Sequence, residues 1–441
     1  MTYDAPRLDR SSLHASLGEP ALGSIGFLNE VMGRYPDAIS FAPGAPHPDL
    51  LEDVDPEHHT RVFLEHLVME RGWDPGRARR SLLEYGPSRG LIGDIVAAAL
   101  RRDHAIDVPA RAVVVTAGAQ EGILLTLRAL FASPDDLLAV VTPCFVGATG
   151  AARLLGIGIT PVHETEQGVD LDGLRRACRA ARADGRRIRA CYVAPDFSNP
   201  GGVTMPLAGR RRLLDLAEEE DFFLVEDNAY GFTARPGREL PPLKALDARG
   251  RVIHVGTFAK VAFPGARVGY VVADQSVDGP GGPGLLADEL AALKTMTTVN
   301  TSPLGQAVVG GMLLEHGGSL VELSRRKAEL YQHNLSHLAH ALDRHLEDVR
   351  RAGVTWNRPE GGFFLRMDLP VPADLALLER SAERYGVLWT PMAPFYVDGT
   401  GTHRLRLSCS YLDPEQIETG VERLAAFLRA ETMGRSTGSA A

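Results

Sequence analysis

Ala112-Val113-Val114-Val115-Thr116, closed by Gly118 and followed by a helical pattern from Glu121 to Ala132, is the unit from which the fold can be read. A short run of β-branched residues fits a strand buried on both faces, and the glycine marks the turn into a helix. The unit recurs on both sides. Leu137 to Val141 is another apolar run, ended by Pro143, and Ile188 to Val193 is a third, followed by a polar turn. Arg210 to Asp221 reads as an amphipathic helix, and Phe222 to Glu226, Val252 to Gly256 and Val268 to Val272 complete the series. Short apolar strands alternating with helices from about Leu82 to Tyr270 predict an α/β fold with a mainly parallel sheet covered on both faces. Ligands of such sheets collect in the loops at the carboxyl ends of the strands.

Outward from this block the pattern changes. The segment up to about Gly44 is punctuated by proline and glycine and ends in Ala42-Pro43-Gly44-Ala45-Pro46, which reads as an arm or lid. After Asp274 come a Gly/Pro-rich connector, Asp278 to Gly284, and a helix-rich stretch, Leu320 to Asp348. Gly353 to Leu428 alternates strands and helices again and gives way to a polar tail. We find no repeat at a fixed period. The expected division is residues 1–60 as an arm and part of a small domain, 61–320 as a large domain, and 321–441 as a C-terminal small domain.

The chain has 441 residues, 44% of them hydrophobic and 23% charged, enough for a large core. Its net charge of -9 weighs against a nucleic-acid partner, because neutralising phosphates needs clustered Lys and Arg. No apolar run predicts a membrane span. Met1 to Pro20 carries Asp4, Asp9 and Glu19 without an apolar centre and does not read as a secretory signal. Cys144, Cys178, Cys191 and Cys409 are scattered without a CxxC pair, which predicts reduced thiols in a cytoplasmic protein and no metal centre. Of 47 basic side chains only Lys244, Lys260, Lys294 and Lys327 are lysines, so chemistry that needs a lysine amine has a short candidate list.

Lys260 closes Gly256-Thr257-Phe258-Ala259-Lys260 directly after a strand, and Pro264-Gly265 and Arg267 follow it. Desolvation and a nearby cation would both lower its pKa and free the amine for carbonyl chemistry, although a loop lysine taken alone is ordinarily a solvated charge. Lys244 reads as part of a proline-rich surface loop, and Lys294 and Lys327 as helical. Asp227 follows the strand Phe222 to Val225 in Glu226-Asp227-Asn228-Ala229-Tyr230-Gly231. A strand-end carboxylate can pair with a protonated ring nitrogen or simply cap a turn. Tyr230 is suited to donate to a phenolic oxygen. Asn199, in the tight turn Asp196-Phe197-Ser198-Asn199-Pro200-Gly201-Gly202, can aim an amide at the same atom or be only a turn residue. Gly118-Ala119-Gln120 opens a helix whose backbone N–H groups favour a phosphate. If His403 to Ser408 is a strand, Arg404, Arg406 and Ser408 share a face. Arg406 could then hold a carboxylate with a bidentate fork, or sit solvated on an edge strand. An amine, a carboxylate, donors for a phenolic oxygen and a phosphate cradle are what pyridoxal 5'-phosphate (PLP) requires of a protein.

The ordered set Tyr85-Gly86-Pro87-Ser88-Arg89-Gly90, Gly118-Ala119-Gln120, Asn199-Pro200-Gly201-Gly202, Asp227-x-x-Tyr230, Thr257-x-x-Lys260, Pro264-Gly265-x-Arg267 and Arg406-Leu407 resembles the fold-type-I, class I/II aminotransferases. The nearer likeness is to the α-aminoadipate and kynurenine branch, over roughly Ile39 to Leu428. Each motif is weak alone, and the order carries the resemblance. It implies a mainly parallel, seven-stranded-type sheet in a large PLP domain, with a smaller α/β domain formed by the N-terminal arm and the C-terminal segment. It also implies roles. Lys260 would be the Schiff-base lysine and proton shuttle, and Asp227 would face the pyridine nitrogen. Asn199 and Tyr230 would reach the phenolic oxygen, and Gln120, Thr257 and Arg267, with Gly118 and Ala119, would surround the phosphate. Tyr85 would reach the phosphate of a neighbouring subunit, which makes the expected assembly a homodimer with shared sites. Arg406 would hold the substrate carboxylate, Asn199 would also meet the substrate, and Gly44 would line the pocket.

The chain departs from the family at three places. Phe145 stands where the family often has a tyrosine stacked on the ring, and it can stack but not hydrogen-bond. Ala119 and Ala259 stand where serine hydroxyls are common. These departures bear on the reaction type more than on the cofactor. The expected reaction moves an amino group from an amino acid to a 2-oxo acid, with Lys260 carrying the α-proton. The alternative on the same scaffold is β-elimination or decarboxylating oxidative deamination of a specialised amino acid in secondary metabolism. An effector domain of a transcription regulator is a remote reading, because only about 40 residues precede the resemblance and the chain is acidic. Met392, Phe395 and Tyr396, with Phe363 and Phe364, read as contacts for a bulky apolar substrate or as plain core.

Overall fold

The computed structural model describes residues 7–18, 30–31, 33–279 and 282–432. Parts of the expected N-terminal arm, the middle of the Gly/Pro-rich connector and the end of the polar tail lie outside the described residues. Strands are numbered along the chain. After β1 (Ile39–Ser40) come β2 (Val113–Thr116), β3 (Asp136–Thr142), β4 (Gly158–Thr165), β5 (Gly168–Val169), β6 (Arg187–Val193), β7 (Phe223–Asn228), β8 (Val252–Thr257) and β9 (Gly269–Val272). A hairpin of β10 (Ser276–Gly279) and β11 (Gly282–Leu285) precedes β12 (Thr355–Trp356), β13 (Phe364–Asp368), β14 (Val387–Leu388), β15 (Thr390–Pro391) and β16 (Arg404–Ser408).

The central sheet has the order β2-β9-β8-β7-β6-β3-β4-β5. β4, β3, β6, β7 and β8 run parallel, while β9 is antiparallel to both of its neighbours. The expected mainly parallel α/β sheet is therefore present, with the two-residue β5 added at one edge as an eighth strand. β4 escaped the apolar pattern because it lies beside that edge and most of its side chains are partly or fully solvated. Helices cover both faces. On one side Val114, Leu138, Val140, Tyr192, Val225 and Val255 pack with residues of the helices Ala119–Leu130 and Leu286–Thr295. On the other, Cys191, Val193, Leu224 and Val252 pack with residues of the helices Leu171–Ala183 and Leu207–Glu219.

A second sheet, β12-β13-β16-β15, is antiparallel throughout. β1 pairs in parallel with β14, which ties the N-terminal segment to the C-terminal third. Phe41 joins Leu338, Leu365, Trp389, Leu405, Leu424 and Phe427 in the core of this part. The helix Leu320–His345 begins in one core, through Leu320 and Leu323, and ends in the other, through Leu335, Leu338 and Leu342.

The topology brings the sequence motifs to one end of the sheet. The carboxyl ends of β2, β3, β7 and β8 lead to Gly118, Phe145, Tyr230 and Lys260, and the loop after β6 carries Asn199. Because β9 is antiparallel, its amino end lies at the same side, and Arg267 lies two residues before it.

Candidate active site

Lys260 sits in a one-turn helix, Phe258–Val261, opened by Thr257, whose hydroxyl accepts the Ala259 N–H at 3.1 Å. Its Nζ donates to the Gly44 carbonyl at 2.5 Å and lies 5.9 Å from the Phe363 ring centre. No carboxylate pairs with it among the described residues. Burial, and then the charges of Arg406 and Arg267, bring its pKa down to about 8. The other lysines are differently placed. Lys294 is fully buried and donates to Glu121 at 2.7 Å. Lys244, expected in a surface loop, is instead buried and bound to Asp274 at 2.5 Å, because a turn of helix and the Glu226 carboxylate hold its backbone inside. Lys327 lies on the helix Leu320–His345.

Asp227 and Glu226 are consecutive on β7 and face opposite sides of the sheet. Glu226 is fully buried and satisfied: it accepts from the Leu243 N–H at 2.6 Å, the Lys244 N–H at 3.1 Å and His254 Nδ1 at 2.8 Å. Burial pushes the Glu226 carboxyl up, but these hydrogen bonds outweigh it and the net shift is downward. Asp227 accepts the Tyr192 hydroxyl on Oδ2 at 2.5 Å, while Oδ1 is buried without a partner. Burial, with Glu226 adding to it, raises the Asp227 pKa against the opposing pull of Tyr192 and His254.

Arg406, expected on a possible edge strand, is on β16 between β13 and β15, and that interior position buries it. Nη1 donates to Asn199 Oδ1 at 2.7 Å, and Nη2 donates to the Ala42 carbonyl at 2.8 Å and Thr390 Oγ1 at 3.2 Å. The guanidinium lies 4.2 Å from the Phe364 ring centre and 5.3 Å from that of Phe395. Its Nε has no partner, no carboxylate pairs with it among the described residues, and burial lowers its pKa to about 10. Arg404 on the same face is already engaged, by Asp368 at 2.6 Å and the Tyr396 hydroxyl at 2.6 Å. Tyr230 is buried against Phe363 and Phe364, beside Asn199.

A backbone cradle lies beside these groups. Gly118 has φ +79°, and a Cβ there would stand 2.6 Å from Arg267 Nη2. A Cβ at Gly269 would stand 2.7 Å from the Ala119 nitrogen, so this strand can approach the helix start only as glycine. Among the described residues the exposed Arg267 guanidinium makes only two long contacts, to the Pro264 and Ala117 carbonyls at 3.4 Å. Gln120 Nε2 donates to the Gly147 carbonyl at 2.7 Å, two residues beyond Phe145.

The chain thus gathers Gly44, Gly118, Ala119, Gln120, Phe145, Asn199, Asp227, Tyr230, Thr257, Lys260, Arg267 and Arg406 around the ends of the two sheets. Tyr85 is apart from them, 89% exposed on the surface. Sequence reading missed Tyr192, Thr390 and the Ala42 carbonyl. Tyr192 left a faint signal as the one phenol in the apolar run Ile188 to Val193, whereas a backbone carbonyl leaves none. These residues fit PLP. The unpartnered Oδ1 of Asp227 suits a ring N–H, the side-chain-free cradle with an unpaired Arg267 suits a phosphate, and Lys260 is an amine without a counter-ion.

The family "Aminotransferase class I and II" matches residues 68–424. A curated relative, the (S)-3,5-dihydroxyphenylglycine transaminase of Amycolatopsis orientalis, is 44% identical over 96% of this chain and 95% of its own length. Among solved structures, the kynurenine aminotransferase of Pyrococcus horikoshii, in complex with PMP and kynurenine, superposes with a TM-score of 0.80. It is 28% identical and covers 96% of this chain and 98% of its own. The α-aminoadipate aminotransferase LysN of Thermus thermophilus, complexed with N-(5'-phosphopyridoxyl)-L-leucine, has a TM-score of 0.74 and 30% identity, covering 95% and 99% of the two chains. The chain belongs to the class I and II aminotransferases and is an enzyme of the transferase class.

Proposed function

We propose that this class I and II aminotransferase binds PLP through Lys260 and moves the amino group of a bulky, aromatic-type amino acid to a 2-oxo acid. The observation that carries the cofactor reading is a set of neighbouring buried groups short of partners: the Lys260 amine and the Arg406 guanidinium, which no carboxylate meets among the described residues, and Asp227 Oδ1, which accepts no hydrogen bond. The 44% identical dihydroxyphenylglycine transaminase and the aromatic rings flanking Arg406 support the substrate class.

When bound, PLP supplies the electron sink that acidifies the substrate α-hydrogen and the carrier for the amino group. The chain's own residues would do the rest. Asp227 Oδ1 would accept the pyridine N–H and keep the ring protonated. Tyr230 and Asn199 would donate to the phenolic oxygen. The N–H groups at Ala119 and Gln120, the Thr257 hydroxyl and Arg267 would hold the phosphate, and Phe145 would stack on the ring. Arg406 would take the substrate α-carboxylate, the counter-ion it lacks among the described residues, with Asn199 beside it. Lys260 Nζ would take the substrate α-proton. A pKa near 8 leaves about a tenth of the amine neutral at pH 7, far more than an ordinary lysine has.

Tyr85, with Leu83 and Met296, forms exposed apolar surface that supports a homodimer in which Tyr85 serves the partner's phosphate. No described helix is long and apolar enough to cross a membrane. The four free, buried cysteines support the cytoplasmic placement. We place the large domain at residues 61–320 and the small domain on the flanking segments.

The test is direct. The purified enzyme should show a near-visible absorbance band that borohydride or Lys260→Ala removes. Arylglycines and other aromatic amino acids should convert that band to the pyridoxamine form. Release of ammonia, pyruvate or CO2 without that conversion would refute transamination and favour the lyase or oxidative-deaminase reading.

A further inference from the structure

Tyr192 has no role in the reading above, yet it is the sole described partner of Asp227. It lies on β6 beside Val225 of β7 in the parallel register, on the same sheet face as Asp227 and one same-face position behind it. Two residues along a strand span roughly 6.6 Å, about the reach of a tyrosine side chain, so the ring runs along β7 and its hydroxyl meets Oδ2 at 2.5 Å. Serine or threonine at this position would stop short, and phenylalanine would fill the space without a donor.

We propose that Tyr192 is a positioning residue for the cofactor: it fixes Asp227 Oδ2 and keeps the carboxylate ionised, so that Oδ1 is presented to the ring nitrogen. This rests on the PLP reading. Burial favours a neutral Asp227, and a neutral carboxyl cannot hold a pyridinium. The other groups near the carboxylate do not replace Tyr192. His254 lies on the opposite face and is bonded to Glu226, whose charge works against ionisation of Asp227. The Cys144 thiol is buried and its pKa is raised by that burial, and Tyr230 is buried nearby and likewise raised. Burial, with the Asp227 charge next, raises the Tyr192 pKa as well, so this phenol remains a donor through the working pH range. The contact is charge-assisted and short, and its loss leaves both carboxylate oxygens bare.

The test is a double-mutant cycle of Tyr192→Phe and Asp227→Asn, read by PLP titration of the apoenzymes and by infrared spectroscopy. Tyr192→Phe should weaken PLP binding roughly ten- to a hundredfold, the span expected for one hydrogen bond to a charge. In apo Tyr192→Phe the carboxylic-acid band that Asp227→Asn abolishes should persist to higher pH than in the wild type. Against Asp227→Asn, Tyr192→Phe should cost no more than about twofold further. An equal loss in both backgrounds, or unchanged PLP affinity in the native background, overturns the proposal. If Tyr192→Phe does not fold, 3-fluorotyrosine at 192, a stronger donor, should move the carboxyl band to lower pH; an unmoved band counts against the idea. Failure of the cofactor reading looks different: the wild-type chain then binds no PLP.

Discussion

Glu226 and Asp227 are neighbours in sequence and chemically near-identical, yet they play different parts in the protein. Glu226 points to one face of the sheet, where two backbone N–H groups and His254 occupy both of its oxygens. Asp227 points to the other, where Tyr192 holds one oxygen and the second is buried without a partner. The contrast repeats among the cations. Arg404 is bound to Asp368 and Tyr396 and Lys294 to Glu121, while among the described residues Arg406 has no counter-ion and Lys260 has only the Gly44 carbonyl. A paired charge is a completed piece of structure, and a buried charge left short of partners is an interaction reserved for something else. Each satisfied residue is a built-in control for its unsatisfied twin.

The sharpest way to break the comparison is to remove both carboxylates separately. Asp227→Ala should lower turnover by about 10² to 10⁴ at saturating PLP while leaving the fold intact, measured by steady-state kinetics beside thermal melting. Glu226→Ala should do the reverse. Stripping a buried, hydrogen-bonded charge from His254 should cost about 3–5 kcal/mol of stability, seen in denaturant unfolding, with turnover per folded molecule little changed. If both variants lost activity alone, pairing would not distinguish structure from site. Among the arginines, Arg406→Ala should raise KM for the amino acid by roughly 30-fold or more, as for the loss of a buried charge partner, and Arg404→Ala should raise it far less. The smallest effect concerns Lys260. Its folded pKa, about 8, lies below the ordinary 10.5, so the unfolded chain binds more protons between those values. Relative to Lys260→Met, the wild-type apoenzyme should therefore gain stability as pH rises from about 8 to 10.5, a difference that cancels the opposing titration of the buried cysteines and tyrosines common to both chains. A stability difference between the wild type and Lys260→Met that does not grow over this window would contradict a buried, unpaired amine.

Much of the fold was legible because periodicity is local: the apolar runs ending near Thr116, Val141, Val193, Glu226 and Gly256 all became strands of the central sheet. β4 was not legible, since a strand beside a sheet edge keeps polar side chains. The antiparallel course of β9 was not legible either, although it is what brings Arg267 to the cradle. Two local readings misjudged burial. Lys244 looked solvated because its neighbours are prolines, but Asp274, 30 positions away, holds it inside. Arg406 looked like a candidate for a solvated edge because strand order cannot be read from one strand.

The sequence by itself determined the α/β alternation, the short list of lysines and the ordered motifs that place the chain among the aminotransferases. These are properties of residue type and spacing along the chain. Only the tertiary structure decided which member of each like-charged pair is satisfied. The deciding contacts join distant segments, as with Lys294 and Glu121, 173 positions apart, or Tyr192 and Asp227, 35 apart. Electrostatic satisfaction depends on what lies within a few ångströms in space, and the spacing of residues along one chain does not specify that.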